Sequence, residues 1–268
     1  MQEKINIGFI GAGNMGSAIM KGIAKSSMKN IQLFAFDKLS DKTNELKKYG
    51  VEICSDENEI VEKCKYVFLA VKPQVIEGVL ETVSEKISSD NVIVSIAAGI
   101  SDEYIVSKTI SDAKVILVMP NTPLLLGEGA SALSRNDKVS DEEFKLICDI
   151  FAVCGKIAVI PKNKMKEIIA VNSSSPAFIY LFAKGFIEYG EKAGIEPDAV
   201  KSMFAQALIG SAKMITDSGY TIDELIKMVS SPGGTTLAGL DALYEGKLTD
   251  TVNDACERCT KRAYELSK

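Results

Sequence analysis

The stretch that most constrains the fold is a glycine-rich turn close to the N-terminus. An apolar segment, Ile5–Ile10, runs directly into the pattern Gly11-x-Gly13-x-x-Gly16, and a helix is predicted to follow. In this arrangement the first glycine allows a tight turn, the second lets a pyrophosphate approach the backbone, and the third lets the helix pack closely on the strand. Asp37 follows at about the distance expected of a ribose-binding acid. The stretch therefore predicts a dinucleotide-binding βαβ unit, against the alternative of a glycine-rich turn without a ligand.

Predicted strands and helices alternate from residue 1 to about 160. Apolar runs at residues 66–71 and 91–96 are typical of strands buried on both faces of a parallel sheet. From Asn163 onward the pattern changes to long helical periodicity without a convincing strand. We therefore predict an α/β fold, with a doubly wound Rossmann-type parallel sheet over residues 1–161 and an all-helical domain over residues 162–268.

Local signals place several helices. Ser40–Tyr49 is predicted to be one helix, and Ser140 and Thr221 each begin a capping box, with glutamate three residues later. Residues 165–193 are predicted to form one long helix, interrupted by a kink at Pro176.

Composition excludes several classes of protein. The net charge is −5 and the lysines are dispersed, so the sequence has no basic patch of the kind that binds nucleic acid. No apolar run reaches the roughly 18 residues needed to span a membrane. The first strand begins at once, which leaves no room for a signal peptide, so we expect a cytoplasmic protein. The chain has no histidine. Ser-His-Asp and Cys-His nucleophilic catalysis and histidine-dependent metal hydrolases are therefore excluded.

The six cysteines are expected to be reduced thiols. Cys256 and Cys259 form the only close pair, and they recur with Val252 and Ala263 on one face of a predicted helix. They are interpreted as small buried apolar residues rather than as metal ligands or a redox pair, and no metal is predicted.

Three strand ends are predicted to meet the cofactor, at residues 11–16, 70–73 and 119–123. Ligands of such sheets bind outside the carboxyl ends of the strands, and two prolines make residues 119–123 a rigid, extended loop. Asp37 favours the free ribose of NADH, whereas Lys38 could pair with the 2′-phosphate of NADPH. The choice between NADPH and NADH stays open at this point.

The most unusual stretch of the helical half is Ser230–Thr236, which reads Ser-Ser-Pro-Gly-Gly-Thr-Thr between two helices. Its glycines can aim successive N–H groups at one spot, and the dipole of the next helix adds positive potential. The stretch is either a site for a small carboxylate or a plain helix-breaking linker.

Four motifs together carry a family resemblance. Ile7–Gly16, Ala70–Gln74, Met119–Pro123 and Ser230–Thr236 resemble pyrroline-5-carboxylate reductases, with matching order and spacing over essentially the whole chain. The resemblance implies NAD(P)H-dependent reduction of 1-pyrroline-5-carboxylate to proline, the last step of proline biosynthesis. It further implies that the helical domain pairs two subunits, that each substrate site forms between chains, and that the homodimers assemble into larger homo-oligomers.

The resemblance also assigns roles to residues. Ser231, Gly234, Thr235 and Thr236 would bind the substrate, with the Thr236 hydroxyl near the ring nitrogen as the catalytic group. The residues predicted to contact the cofactor are Gly11, Ala12, Gly13, Asn14, Met15, Gly16, Asp37, Lys38, Ala70, Val71, Lys72, Pro73, Met119 and Asn121.

The chain departs from the family pattern at two places. Ser173 and Ser175 stand where the family commonly has glycines, which puts the helix geometry there in doubt, and Asp37 replaces a small or basic residue.

Three alternative functions share part of this pattern. A β-hydroxyacid dehydrogenase would need a glycine-rich helix start carrying a lysine, and residues 165–172 contain no glycine. Another imine reductase would lack the Ser231–Thr236 loop, and a nicotinamide redox sensor would need no second ligand site.

Overall fold

The computed structural model describes residues 4–267. Contacts divide the chain into two compact units: the first runs up to Ser174 and includes the end of the chain from Arg258, and the second is Ser175–Glu257. The helix that ends the chain therefore contributes to both units. No helix among the described residues is long and apolar enough to cross a membrane.

The first unit is built on one eight-stranded sheet. Its strands are β1 (Ile5–Ile10), β2 (Ile31–Phe36), β3 (Glu52–Ile53), β4 (Tyr66–Leu69), β5 (Val92–Ser95), β6 (Lys114–Met119), β7 (Gly129–Arg135) and β8 (Gly155–Val159). Their order is β3-β2-β1-β4-β5-β6-β7-β8. All neighbours pair in parallel except β6 and β7. The predicted parallel α/β sheet is confirmed, with the single antiparallel pair as an addition.

Helices lie between the strands of the first unit. They are α1 (Asn14–Lys25), α2 (Ser40–Asn44), α3 (Glu57–Lys63), α4 (Pro73–Val83), α5 (Asp102–Ser107) and α6 (Asp141–Ala152). The second unit contains α7 (Ser175–Lys192), α8 (Pro197–Asp217), α9 (Ile222–Met228), α10 (Thr235–Glu245) and the first part of α11 (Leu248–Leu266). The second half has no strand among its described residues from 160 to 267, as the helical periodicity predicted.

Side chains alternate between the two faces of the sheet and so build two cores. Phe9 and Phe68 lie in one core with ring centroids 4.3 Å apart, while their neighbours Ile10 and Leu69 lie in the other. This alternation follows from the two-residue period of a strand. Burial of each phenylalanine contributes about 2–3 kcal/mol. The uninterrupted apolar runs of the central strands are thus explained by helices on both faces.

The structure differs from the local predictions at three places. The predicted Ser40–Tyr49 helix changes to a 3₁₀ turn at Glu45, and β7 was not predicted at all. The predicted start of the long helix at residue 165 is wrong. A turn and a π-helical segment, Ile169–Ser174, precede α7 instead. A π segment suits the approach to Pro176, because a proline lacks the N–H that an α-helix needs and clashes with the preceding turn. Both predicted capping boxes are confirmed.

Candidate functional site

The glycine-rich turn joins β1 to α1 at the centre of the sheet. Gly11 has φ +103°, and a Cβ on it would lie 2.5 Å from the Ala70 carbonyl oxygen, so no other residue fits there without strain. A Cβ on Gly16 would lie 2.6 Å from the Gly11 carbonyl oxygen. A Cβ on Gly13, in contrast, would meet nothing within 4 Å. The turn is therefore closed towards the sheet and open in front of the helix.

The start of α1 is suited to an anion. Gly13 is its N-cap and offers no side chain to the first turn, where Asn14 and Met15 are the first two residues. The N–H groups of a first helical turn have no partner within the helix, and the helix dipole adds partial positive charge. The residues present thus fit the pyrophosphate of a dinucleotide.

Asp37 follows β2 and contacts this turn. Its Oδ2 accepts a hydrogen bond from the Ala12 N–H at 2.8 Å, and its Oδ1 accepts one from the Leu39 N–H at 2.9 Å. The Lys42 Nζ lies 3.6 Å from Oδ1. The Asp37 side chain is only 12% exposed, against 44% for Lys42. The carboxylate thus ties the end of β2 to the glycine-rich turn.

A cavity of about 310 Å³ lies in front of these groups. It brings together seven of the predicted cofactor residues: Gly11, Gly13, Asp37, Lys38, Ala70, Val71 and Lys72. Pro73 does not line it and instead begins α4. Lys42, which the sequence reasoning missed, lines it as well. The only signal that could have revealed Lys42 is its position in the predicted helix after β2, five residues beyond Asp37.

The strand end at β6 is held by buried amides. Asn121 Oδ1 accepts a hydrogen bond from the Ala130 N–H at 2.8 Å, and its Nδ2 donates to the Asn172 carbonyl oxygen at 3.1 Å. Asn172 Nδ2 donates in turn to the Met119 carbonyl oxygen at 2.7 Å. Asn121 and Asn172 are both buried. The prediction of an extended loop after β6 is wrong beyond Asn121, because Thr122–Leu126 forms a 3₁₀ helix. The strand end itself is fixed by its own asparagine and by the π segment.

A second cavity, of about 290 Å³, lies at the carboxyl ends of β5 and β6. Met119 lines it, as do the ion-paired Asp102, Glu103 and Lys162. Lys162 Nζ lies 2.9 Å from Asp102 Oδ2 and 2.7 Å from Glu103 Oε1. Burial raises the pKa of Asp102, whereas hydrogen bonds from Asp102 and Lys162 lower the pKa of Glu103 to about 2.

In the second unit, Ser230–Thr236 forms the turn between α9 and α10. The Gly234 N–H donates to the Ser231 carbonyl oxygen at 3.0 Å, and Gly233 has φ +70°. A Cβ on Gly234 would lie 2.6 Å from Ser231 Oγ. Gly234 is the N-cap of α10 without a capping side chain, and Thr235 and Thr236 are exposed at its first two positions. This helix start can also receive an anion.

The six cysteines are free thiols, and Cys256 and Cys259 are half-buried. Within residues 4–267, no group of three or more acidic or cysteine side chains is arranged to hold a metal ion.

Two family models match the chain. Residues 162–266 match the family described as "pyrroline-5-carboxylate reductase dimerisation". Residues 6–99 match the family described as "NADP oxidoreductase coenzyme F420-dependent". The chain thus carries a dimerisation region of the type found in pyrroline-5-carboxylate reductases.

Similar proteins span the whole chain. Pyrroline-5-carboxylate reductase of Escherichia coli (strain K12) is 32% identical over 270 residues and covers 100% of both chains. Pyrroline-5-carboxylate reductase 3 of Rattus norvegicus is 32% identical and covers 100% of this chain and 98% of its own. Among solved structures, Plasmodium falciparum pyrroline carboxylate reductase with NADP bound has a TM-score of 0.90 at 30% identity, covering 100% of both chains. The chain belongs to the pyrroline-5-carboxylate reductase family.

Proposed function

We propose that the chain reduces 1-pyrroline-5-carboxylate to L-proline by hydride transfer from NADH or NADPH, as the last step of proline biosynthesis. The observation that carries the proposal is the start of α10, where uncapped N–H groups stand beside exposed hydroxyls in a chain of this family. A second anion-binding helix start, at α1, is available for the dinucleotide. One chain thus has a place for each of two anionic reactants.

The reaction suits a chain without histidine. When bound, the reduced nicotinamide supplies a hydride to the carbon of the C=N bond. In the protonated imine, the ring nitrogen already carries its proton and the π electron pair of that bond becomes its lone pair, so hydride transfer gives the neutral amine without a proton donor. Orientation and electrostatic stabilisation by the protein are then sufficient for catalysis. Reduction of a ketone would require a proton donor for the oxygen.

The residues of the α10 turn are proposed to orient the substrate. Ser231 and Thr235 would hold its carboxylate through hydroxyl and N–H groups. Gly234, whose N–H donates to the Ser231 carbonyl oxygen, would contribute to binding as an N-cap whose missing side chain leaves room for the carboxylate. Thr236, at the second position of α10, would direct its hydroxyl to the ring nitrogen. Its role is to keep the imine protonated and aligned.

Fourteen residues of the first unit are proposed to hold the dinucleotide, namely those predicted from the sequence. The contacts around Asp37 and the opening in front of Gly13 support the phosphate and ribose assignments. Asn121 and Met119 would contribute through the shape of the strand end, which the Asn172 side chain fixes. Pro73 would set the direction of α4 behind Lys72.

The second unit is proposed to pair two subunits, with the dimers assembling into a larger homo-oligomer. Its helices expose large apolar side chains, including Tyr180, Leu181, Tyr189 and Met203, each more than 60% exposed. Large apolar side chains exposed in this number are typical of an interface between chains. The matched dimerisation region supports the same conclusion.

The functional boundary is proposed at residues 161 and 162, so that residues 1–161 bind the dinucleotide and residues 162–268 serve substrate binding and dimerisation. The dimerisation match from residue 162 supports this division. The compact units differ from it because residues 162–174 and the end of α11 pack with the sheet. A cytoplasmic location is also proposed, and six free thiols fit a reducing compartment.

One assay tests the proposal. The purified full chain, mixed with NADH or NADPH, should lose absorbance at the nicotinamide band only when 1-pyrroline-5-carboxylate is added, with proline as the product. The competing substrates are an acyclic imine, offered with the reduced nucleotides, and a β-hydroxyacid, offered with NAD⁺ or NADP⁺ as the oxidant. Turnover of either of these, with no reaction of 1-pyrroline-5-carboxylate, would refute the proposal.

A further inference from the structure

The end of β2 combines one fixed negative charge with two movable positive ones. Asp37 is held by two backbone N–H groups at 2.8 and 2.9 Å and is largely buried. Lys42 and Lys38 both line the same cavity, and both are exposed. The fixed carboxylate of Asp37 and the movable ammonium groups of Lys38 and Lys42 therefore face a nucleotide bound in the same cavity.

The ion pair between Asp37 and Lys42 is loose. A separation of 3.6 Å is too long for a hydrogen bond, and the Lys42 side chain is 44% exposed. Exposed ion pairs of this kind contribute little to stability, so Lys42 can exchange its partner at small cost. Asp37 cannot move in the same way, because the Ala12 and Leu39 N–H groups would lose their acceptor.

The carboxylate of Asp37 still has capacity to accept. Two carboxylate oxygens offer about four lone-pair sites, and hydrogen bonds from the Ala12 and Leu39 N–H groups occupy two of them. A remaining site suits a neutral hydroxyl donor, such as a ribose. A phosphate has no proton to donate there at neutral pH in its dianionic form, and the like charges repel.

We propose that this chain prefers NADH to NADPH, that the immobilised Asp37 sets the preference, and that Lys42 is the residue that admits the 2′-phosphate of NADPH. The proposal rests on the nicotinamide-dependent function proposed above and decides which cofactor serves it. When NADPH is used, Lys42 leaves Asp37 and pairs with the phosphate. Lys38 is assigned no part in the discrimination, because no contact fixes its ammonium towards Asp37 in the described structure.

The test is calorimetric titration of the full chain with NAD⁺ and with NADP⁺. It compares the wild type with Asp37→Asn, Lys42→Met, Lys38→Met and a matched control, Lys47→Met, which is exposed on the same segment but does not line the cavity. Asparagine removes the charge and keeps an oxygen acceptor for only one of the two backbone N–H groups, so the check of folding matters most for this variant. Circular dichroism of each variant checks that it is folded.

We expect the wild type to bind NAD⁺ more tightly. Asp37→Asn should raise the ratio of NADP⁺ to NAD⁺ affinity by about tenfold or more, since like charges in contact are strongly unfavourable. Lys42→Met should lower the same ratio by about tenfold, the loss expected of one charge-assisted hydrogen bond. Lys38→Met and Lys47→Met should change the ratio by less than about twofold.

Two outcomes would overturn the inference while the proposed function stands: tighter binding of NADP⁺ by the wild type, or an effect of Lys38→Met on the ratio that equals or exceeds that of Lys42→Met. A folded chain that binds neither nucleotide would instead refute the proposed function, and the inference with it. Steady-state rates with NADH and NADPH provide the second readout, and their ratio should follow the ratio of affinities.

Discussion

The carboxamide of Asn121 provides the sharpest test of how the β6 strand end is held. Its oxygen accepts from the Ala130 N–H on β7, and its nitrogen donates to the Asn172 carbonyl oxygen. In a regular α-helix that carbonyl would accept from residue 176, which is a proline without an N–H. Asn121 supplies this carbonyl with an N–H donor that Pro176 cannot provide. Asn121→Ala removes both hydrogen bonds.

The expected destabilisation follows from these contacts. Two hydrogen bonds contribute about 1 kcal/mol each, and a buried backbone partner left unpaired adds about 1–3 kcal/mol. Because Ala130 is only half-buried, water can reach part of this site, and we take the lower part of the range. The free energy of unfolding should fall by about 3 kcal/mol, a large share of the roughly 5–15 kcal/mol of a typical domain.

The assay is urea unfolding followed by far-UV circular dichroism at one fixed protein concentration, since oligomerisation makes stability depend on concentration. Asn44→Ala is the control, because Asn44 is exposed at the end of α2, and it should change stability by less than about 0.5 kcal/mol. Asn121→Asp is the informative second variant. It keeps an acceptor for the Ala130 N–H but replaces the donor to Asn172 with a second oxygen.

Asn121→Asp should be at least as unstable as Asn121→Ala, because two acceptors then face each other. A loss of less than about 1 kcal/mol in Asn121→Ala would refute the reasoning that these bonds hold the strand end. If Asn121→Asp were as stable as the wild type, the hydrogen bond from Asn121 to the Asn172 carbonyl oxygen would contribute nothing to stability.

Three further predictions follow from the site and its surroundings. Thr236→Ala should lower kcat by about tenfold to a hundredfold, while the NADH affinity measured by calorimetry stays unchanged, and Thr236→Ser should restore part of the rate. If kcat and NADH affinity fell equally, the role of the turn would be purely structural. Gly13→Ser should keep or slightly raise thermal stability but weaken dinucleotide binding at least about tenfold, since its Cβ has room and its hydroxyl would cap the helix start. Burial opposes ionisation of Glu143, but hydrogen bonds from Lys114, the Ser140 N–H and Lys65 outweigh it and lower its pKa to about 2, from 4.5. Ionised Glu143 therefore stabilises the fold above about pH 4.5, and the stability difference between wild type and Glu143→Gln should shrink as the pH falls towards 2.

Much of the first unit could be predicted because its strands and turns carry local signals. The buried runs at β4 and β5 are typical of strands covered on both faces, and Gly11 and Gly16 of the first turn each meet a steric demand that the structure shows. The capping boxes at Ser140 and Thr221 are equally local, because each is closed by a side chain three residues away.

The features that could not be predicted depend on tertiary contacts. β7 reads Gly-Ala-Ser-Ala-Leu-Ser-Arg, with no aromatic or β-branched residue, and it is a strand because β6 and β8 pair with it on either side. The contacts of Asn121 join residues far apart in the chain, as do those of Asp37 with Ala12. No rule based on the spacing of residues in the sequence predicts such pairs, so the roles of Asn172 and Lys42 became visible only in the structure.

The way each helix begins separates structural helices from those at the proposed ligand sites. Every helix start has N–H groups without a partner in the helix, and folding normally supplies a side chain to accept from them. In the described part of the chain, Asp56, Ser101, Ser140, Glu196 and Thr221 do so for α3, α5, α6, α8 and α9. The starts of α1, α2, α4 and α10 have no capping side chain, and the first three adjoin the cavity in front of Asp37. A capping side chain at α1 or α10 would compete with a phosphate or a carboxylate for the same N–H groups. The glycines Gly13 and Gly234 are therefore best explained as caps that leave their helix starts to the two reactants, at a cost of a few tenths of a kcal/mol each relative to serine.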